Sequence, residues 1–437
     1  MMKKLFTLLA VTIAFTMNAQ TNTNTGTESL NDEDTGTNNS AFGYQSLKSN
    51  ISNKNSAFGA ESLEFNTTGF FNSAFGYQAL QSNTEAKSNS AFGHRSLTSN
   101  TTAEYNSAFG DLALEDNSTG GSNTALGYGV LKNNLEGKFN TAVGSRSMET
   151  NNSDYNTAVG ALALAGDNWG MSITNANHNT ALGYQALSKN EGSRNVATGS
   201  RALKNNTSGN DNVATGYYAL NSNTTASFNT AYGSMSLYSN TGANNTALGY
   251  RSLFSNTTGA NNTAFGYKAE ASANNATNQT IIGYEATGQA DNSVVLGNEN
   301  VTAVYMGEDS GAKVYAGEGS FTGNMTIGGD VVVSSDARLK ANIVSLGSTL
   351  AKLLLIDGKS YTMKKNGKQK IGVLAQEIQT VFPELVTTDE KDMLAVNYQG
   401  LVPVLINALK EQQSEIDIYR KEVSELRQMV NQLITKQ

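Results

Sequence analysis

The residues best suited to chemistry lie in the hexapeptide Ser335-Asp336-Ala337-Arg338-Leu339-Lys340. A serine hydroxyl and a lysine amine together offer a nucleophile and a base. Such a lysine works as the neutral amine, so burial or a nearby cation must depress its pKa. Arg338 is a cation of that kind, or alternatively a partner for the Asp336 carboxylate. The hexapeptide sits at a seam. About three hundred residues of one repeated phrase precede it, and a differently composed segment ending in heptads follows. A nucleophile and a lysine at such a seam suggest that the chain cuts itself there. The plainer alternative is that Ser335-Asp336 only caps a helix or turn, with Lys340 in solvent.

Composition narrows the remaining chemistry. The chain has 437 residues, no Cys, and two His that fall in different repeats, His94 and His178. Disulfide frameworks and thiolate sites are excluded, and no His cluster can form a zinc site, so no metal or cofactor is expected. Residues 336–437 hold 14 basic and 12 acidic side chains, which leaves 16 basic and 25 acidic in the rest. An acidic shaft is a poor partner for nucleic acid or anionic lipid. Lys3 and Lys4 followed by the apolar run Leu5 to Met17 read as a signal peptide over 1–19, too short to span a bilayer. No later stretch reads as a transmembrane helix. The expected location is secreted or cell-surface.

The element that precedes the hexapeptide is a repeat. The phrase N-[ST]-A-[FLV]-G-[YS]-x-[AS]-L recurs with its glycine at Gly43, Gly59, Gly76 and onward to Gly283 and Gly297, 16 or 17 residues apart almost throughout. One step, from Gly160 to Gly183, is 23 residues. Helix-pair repeats need about 33 residues, so this period suits one β-solenoid coil with two short strands and two turns. Ala should face one side and Phe, Leu or Val the other. The recurrent Gly should supply φ > 0 or a close backbone approach, and the leading Asn should stack into a ladder. The only two prolines, Pro383 and Pro403, lie outside the repeats, as a stacked array requires. Few large apolar residues per coil suggest that neighbouring chains complete the core. The shaft is expected over 38–300, after a flexible segment 20–37. The insertion Ala165–Asn177 carries the only Trp, Trp169, and reads as a binding loop or a neutral bulge. Asn31-Asp32-Glu33-Asp34 lacks the later Glu of a calcium loop. Tyr44, Tyr77, Tyr128, Tyr184, Tyr250 and Tyr267 should line one edge, for packing against neighbouring chains or glycan contact. The phrase at Asn179–Tyr184 and Asn245–Tyr250 resembles the head repeats of trimeric autotransporter adhesins. That resemblance implies a parallel β-roll assembled as a homotrimer.

Beyond the shaft, 301–334 reads as a β-rich neck with strands at Val301–Tyr305 and Val331–Val333. Residues 335–437 read as a small α/β domain. Its expected parts are an amphipathic helix before Ile356, paired strands around Asn366-Gly367, a short helix Ala375–Phe382 stopped by Pro383, and a strand Leu394–Tyr398. The last helix carries the seam Val402, Leu405, Leu409, Gln412, Ile416, Tyr419, Val423, Leu426, Val430 and Leu433, which predicts a parallel coiled coil over 402–436. The seam residues by themselves do not set three strands.

Three blocks carry a second resemblance: Ser335–Ile343, Gly372–Val386 and Tyr398–Glu411. In order over about one hundred residues, they are similar to the intramolecular chaperone of endosialidases and phage tail fibres, the peptidase S74 family. The resemblance implies a domain that trimerises, guides folding of the β-stalk upstream, and releases itself. Carried over by position, it places cleavage between Ser335 and Asp336, with Ser335 as nucleophile, Lys340 as general base and Arg338 in support. Ser335 attacking its own carbonyl would close a four-membered ring, so attack across a subunit boundary or through a water is easier. The expectation is an exported, adhesin-like, homotrimeric fibre, mainly β, with a single-turnover self-cleaving C-terminal domain. The alternatives are a tail-fibre or spike component of a phage-derived device, and an uncut fibre whose last domain is a permanent trimerisation module.

Overall fold

The computed structural model describes residues 22–30, 36–166, 175–306, 314, 325, 333–364, 367–389 and 392–435. The expected signal peptide 1–19, Asn31–Asp34, Trp169, Val331, Val332 and Asn366 lie outside the described residues. The chain divides into two units, 1–313 and 314–437.

The first unit is a parallel β-solenoid. Seventeen three-residue strands are described, from β1 (Thr23–Thr25) and β2 (Ser40–Phe42) to β17 (Val294–Leu296). Each pairs in parallel with the next at constant register, so that Ala57 lies between Ala41 and Ala74. The strand is the S-A-F or T-A-L part of the phrase. Its alanine points into the coil and is fully buried, while the flanking residues point outward.

The second strand expected in each coil is a turn. Gln45 and Leu47 have φ of 55° and 51°, and the equivalent pair recurs coil after coil. Alternating left-handed residues cannot continue a strand. The left-handed conformation costs roughly 1–2 kcal/mol for a non-glycine residue. Full burial of the leucine returns about 1.5–3 kcal/mol, and its N–H bonds the next coil, as Leu47 N donates to Ser62 O at 3.0 Å. Core burial therefore outweighs the backbone strain at the leucine. The glycine before this turn is obligatory. Gly43 has φ +135°, and a Cβ there would overlap the carbonyl of Gly59.

The interior is complete within one chain, contrary to the expectation that neighbours finish it. Ala74, Leu80, Ala91 and Leu97 are each 0% exposed in the single chain. Small alanines let the coil close tightly around one leucine row. Two buried asparagine rows flank that row. In the first, the expected ladder, Asn55 N donates to Asn39 Oδ1 at 2.9 Å and Asn72 N to Asn55 Oδ1 at 2.9 Å. The second was not anticipated: Asn66 Nδ2 donates to Asn50 Oδ1, and Asn83 Nδ2 to Asn66 Oδ1, both at 2.7 Å. Most of these buried amide groups find partners, as burial demands, with exceptions such as Asn134 Oδ1 and Asn156 Nδ2.

The stack begins before residue 38, inside the segment expected to be flexible. Asn22-Thr23-Asn24-Thr25-Gly26 is a degraded copy of the phrase. It pairs with β2, Asn39 N donates to Asn22 Oδ1 at 2.9 Å, and Gly26 has φ +140°. At the other end, Val301–Tyr305 is exposed and irregular where a strand was expected. Its Val301 N closes a turn onto Asn298 O instead.

The second unit holds two antiparallel hairpins and a long helix. β18 (Lys359–Thr362) pairs with β19 (Gln369–Gly372), and β20 (Val386–Thr388) with β21 (Leu394–Val396). The helix expected before Ile356 is a single turn, α1 (Leu350–Leu353). α2 (Ala375–Val381) ends ahead of Pro383, as the missing proline N–H predicts. α3 (Leu401–Ile434) is the expected final helix. Ile378, Phe382, Leu385 and Val404 form a small core. The heptad seam is not part of it: Leu405, Leu409, Val423 and Leu426 are all exposed.

Candidate functional site

The site is local and built by one turn. Asp336 ends an extended approach with φ −62° and ψ 132° and caps a 3-10 turn, Ala337–Leu339. Its Oδ1 accepts from Arg338 N at 2.9 Å. The Arg338 guanidinium folds back on the same carboxylate, with Nε at 3.1 Å from both oxygens and Nη2 at 2.7 Å from Oδ2. Lys340 leaves the turn in an extended conformation, its N–H bonding Ala337 O. The outcome is a contact between residues five apart: Lys340 Nζ donates to Ser335 Oγ at 2.7 Å. The four candidate residues therefore form two contacting pairs, Ser335 with Lys340 and Asp336 with Arg338, in one exposed segment.

Electrostatics follow from that geometry. The side-chain and backbone hydrogen bonds from Arg338 hold the Asp336 carboxyl below its ordinary range, and Asp336 raises the Arg338 guanidinium in return. Arg338 is thus engaged with Asp336. A serine hydroxyl and an amine within 2.6–3.2 Å satisfy the distance requirement for base-assisted attack. Among the described residues, no group of three His, Cys, Asp or Glu side chains converges, and no helix is long and apolar enough to cross a membrane.

The sequence reading missed one anchoring residue. Glu411, on α3, takes the N–H groups of Thr349 at 2.6 Å and Leu350 at 3.1 Å, and the Ser348 hydroxyl at 2.9 Å. The Thr349 N–H is the main reason its carboxyl is held low. Asn407, one turn earlier on the same helix, donates to Gly347 O. The chain that leaves Lys340 is therefore tied to the final helix at 347–350. The signal was a Glu one helical turn beyond an Asn, facing Gly347-Ser348-Thr349, a pairing visible only once α1 and α3 are packed together.

Comparison with known proteins locates a family match in this part of the chain. Residues 335–387 match the family described as chaperone of endosialidase, peptidase S74. The match begins at Ser335 and ends in β20. A long tail fiber protein Gp37 of Escherichia phage AR1 is 36% identical over 92 residues, covering 19% of this chain and 8% of that protein. Its counterpart from Salmonella phage S16 is 31% identical over 112 residues, covering 23% of this chain and 15% of that protein. The chain thus spans less than a sixth of the length of these relatives. The small domain that begins at Ser335 and these similarities lead to one conclusion: the chain carries a C-terminal domain of the chaperone-of-endosialidase family, and part of it is similar to phage long tail fibre proteins.

Proposed function

We propose that the protein is an exported, homotrimeric fibre. Its C-terminal domain gathers three chains, guides stacking of the shaft, and then leaves by cutting the Ser335–Asp336 bond. The observation that carries this reading is the 2.7 Å contact between Lys340 Nζ and Ser335 Oγ at the start of the segment that matches the family. The exposed heptad seam of α3 supports the assembly step, because an unpaired apolar stripe calls for copies of the same helix.

The chemistry explains why assembly should come first. A lysine base must be neutral, and exclusion of water favours the neutral amine. In one chain the hexapeptide is exposed. Packing of copies would dry it and supply a carbonyl that Ser335 can reach without a four-membered ring. Cutting then reports finished assembly and happens once per chain.

The test compares wild type with Ser335→Ala and Lys340→Ala on denaturing gels after expression of the full chain. Two fragments from wild type and one intact band from each variant support the reading. Equal cleavage in all three would assign the cut to another protease. A second reading, a tail-fibre-like component of a phage-derived device, is favoured by the similarity to two phage long tail fibre proteins.

A further inference from the structure

We infer that the outward face of the parallel sheet is the surface on which copies of this chain pack along the shaft. The inference rests on the trimeric reading above and names the surface that reading uses. In each strand the middle residue enters the coil and the first and third point out, as Ser73 and Phe75 do around buried Ala74. None of the outward positions in the seventeen described strands is charged. The third position is a nearly continuous apolar row. It starts with Phe42, Phe58, Phe75, Phe92 and Phe109, whose rings stack with centroids 4.6–4.9 Å apart. It continues through residues such as Leu126 and Leu182, which are 50% and 47% exposed, to Ile282 and Leu296. Tyrosines just past the glycine border it, and Tyr250, Tyr267 and Tyr284 stack at 5.4 and 5.3 Å.

Size and charge identify the occupant. Strands spaced about 4.8 Å apart make this row roughly 75 Å long, and three residues span about 10 Å across it. The face is on the order of 750 Å², against about 800 Å² per partner in a standard stable interface. The stacked rings already cover one another, so few ring faces remain for sugars. A second copy fits better. Its rungs repeat at the same spacing, so parallel copies in register bring apolar rung to apolar rung along the full length. The rest of the acidic shaft repels itself, so self-association is confined to the uncharged face.

The chain has no native Cys, which makes the test direct. Val159→Cys and Leu182→Cys place single thiols on the face. Leu426→Cys on the α3 seam reports assembly, and Thr119→Cys on an exposed turn reports chance collision. Each is made in full-length protein carrying Ser335→Ala, so that both reporters stay on one chain, and each is treated with a short bismaleimide. Covalent dimers from V159C, L182C and L426C, at least tenfold above T119C, are expected. Crosslinking by L426C with V159C and L182C at the T119C level would overturn the inference and leave the trimer standing. Failure of L426C as well would overturn the trimeric reading itself. Equal crosslinking at all four sites would mean collision and would also overturn the inference.

Discussion

Asp336 holds Arg338 through four hydrogen bonds, and that pair shapes the turn on which Lys340 meets Ser335. In the proposed cleavage Asp336 would therefore act by positioning, as the cap of the turn. Asp336→Ala removes both the cap and the ion pair, and should slow self-cleavage about fivefold, the order of a lost cap. Asp336→Asn keeps the oxygen that accepts Arg338 N and should retain most of the rate. Both are read from the cleavage time course of purified trimer. Equal rates for the two variants would show that the cap does not position the lysine.

Two glycines should respond differently to alanine. Gly93 has φ +144°, and a Cβ there would overlap the Gly110 carbonyl. Gly93→Ala should destabilise the shaft by more than about 2 kcal/mol. Gly129 has φ +60°, has only Arg146 Cγ at 3.7 Å near a new Cβ, and occupies the position where Gln45 and Arg146 are left-handed. Gly129→Ala should cost no more than about 1–2 kcal/mol. Thermal unfolding of the two variants compares them, and similar losses would contradict the packing described.

Asn106 accepts from Asn123 N at 2.9 Å and donates to Gly120 O at 2.9 Å in the buried ladder. Asn117 Nδ2 also donates to Gly120 O, so that carbonyl keeps a partner without Asn106. Asn123 N–H does not. Asn106→Leu should therefore cost about 1–3 kcal/mol, the penalty of one buried unmet donor. An unchanged denaturant midpoint would mean that the ladder is dispensable.

Glu270 stands where other coils place the core leucine, and its carboxylate faces Ser255 N, with both oxygens at 3.3 Å. Burial pushes its pKa up to about 7, from an ordinary 4.5. The folded shaft then holds this proton to a higher pH than the unfolded chain does. Between pH 4.5 and 7 the folded state binds more protons, so stability falls as pH rises through that window. The difference between wild type and Glu270→Gln should show this slope. Parallel pH profiles for the two would refute it.

The shaft was legible in the sequence because its period fixed the coil and its glycine fixed the corner. The second asparagine row was present too, seven residues after most of the repeat glycines, but its partners lie one coil away. Left-handed leucines such as Leu47 were hidden, because an apolar residue in that position reads as a strand residue until its burial is known. The contact between Lys340 and Ser335 was hidden for a related reason. No regular element joins residues five apart, and the Asp336 cap that bends the chain was read only as an alternative to chemistry. In the structure, capping and the meeting of the two residues occur together.

The most direct measurement is the intact mass of the denatured chain after expression and trimer purification. The account predicts two species from wild type, one of them beginning at Asp336, and a single full-length species from both Ser335→Ala and Lys340→Ala. A wild-type trimer that contains only full-length chain would contradict it.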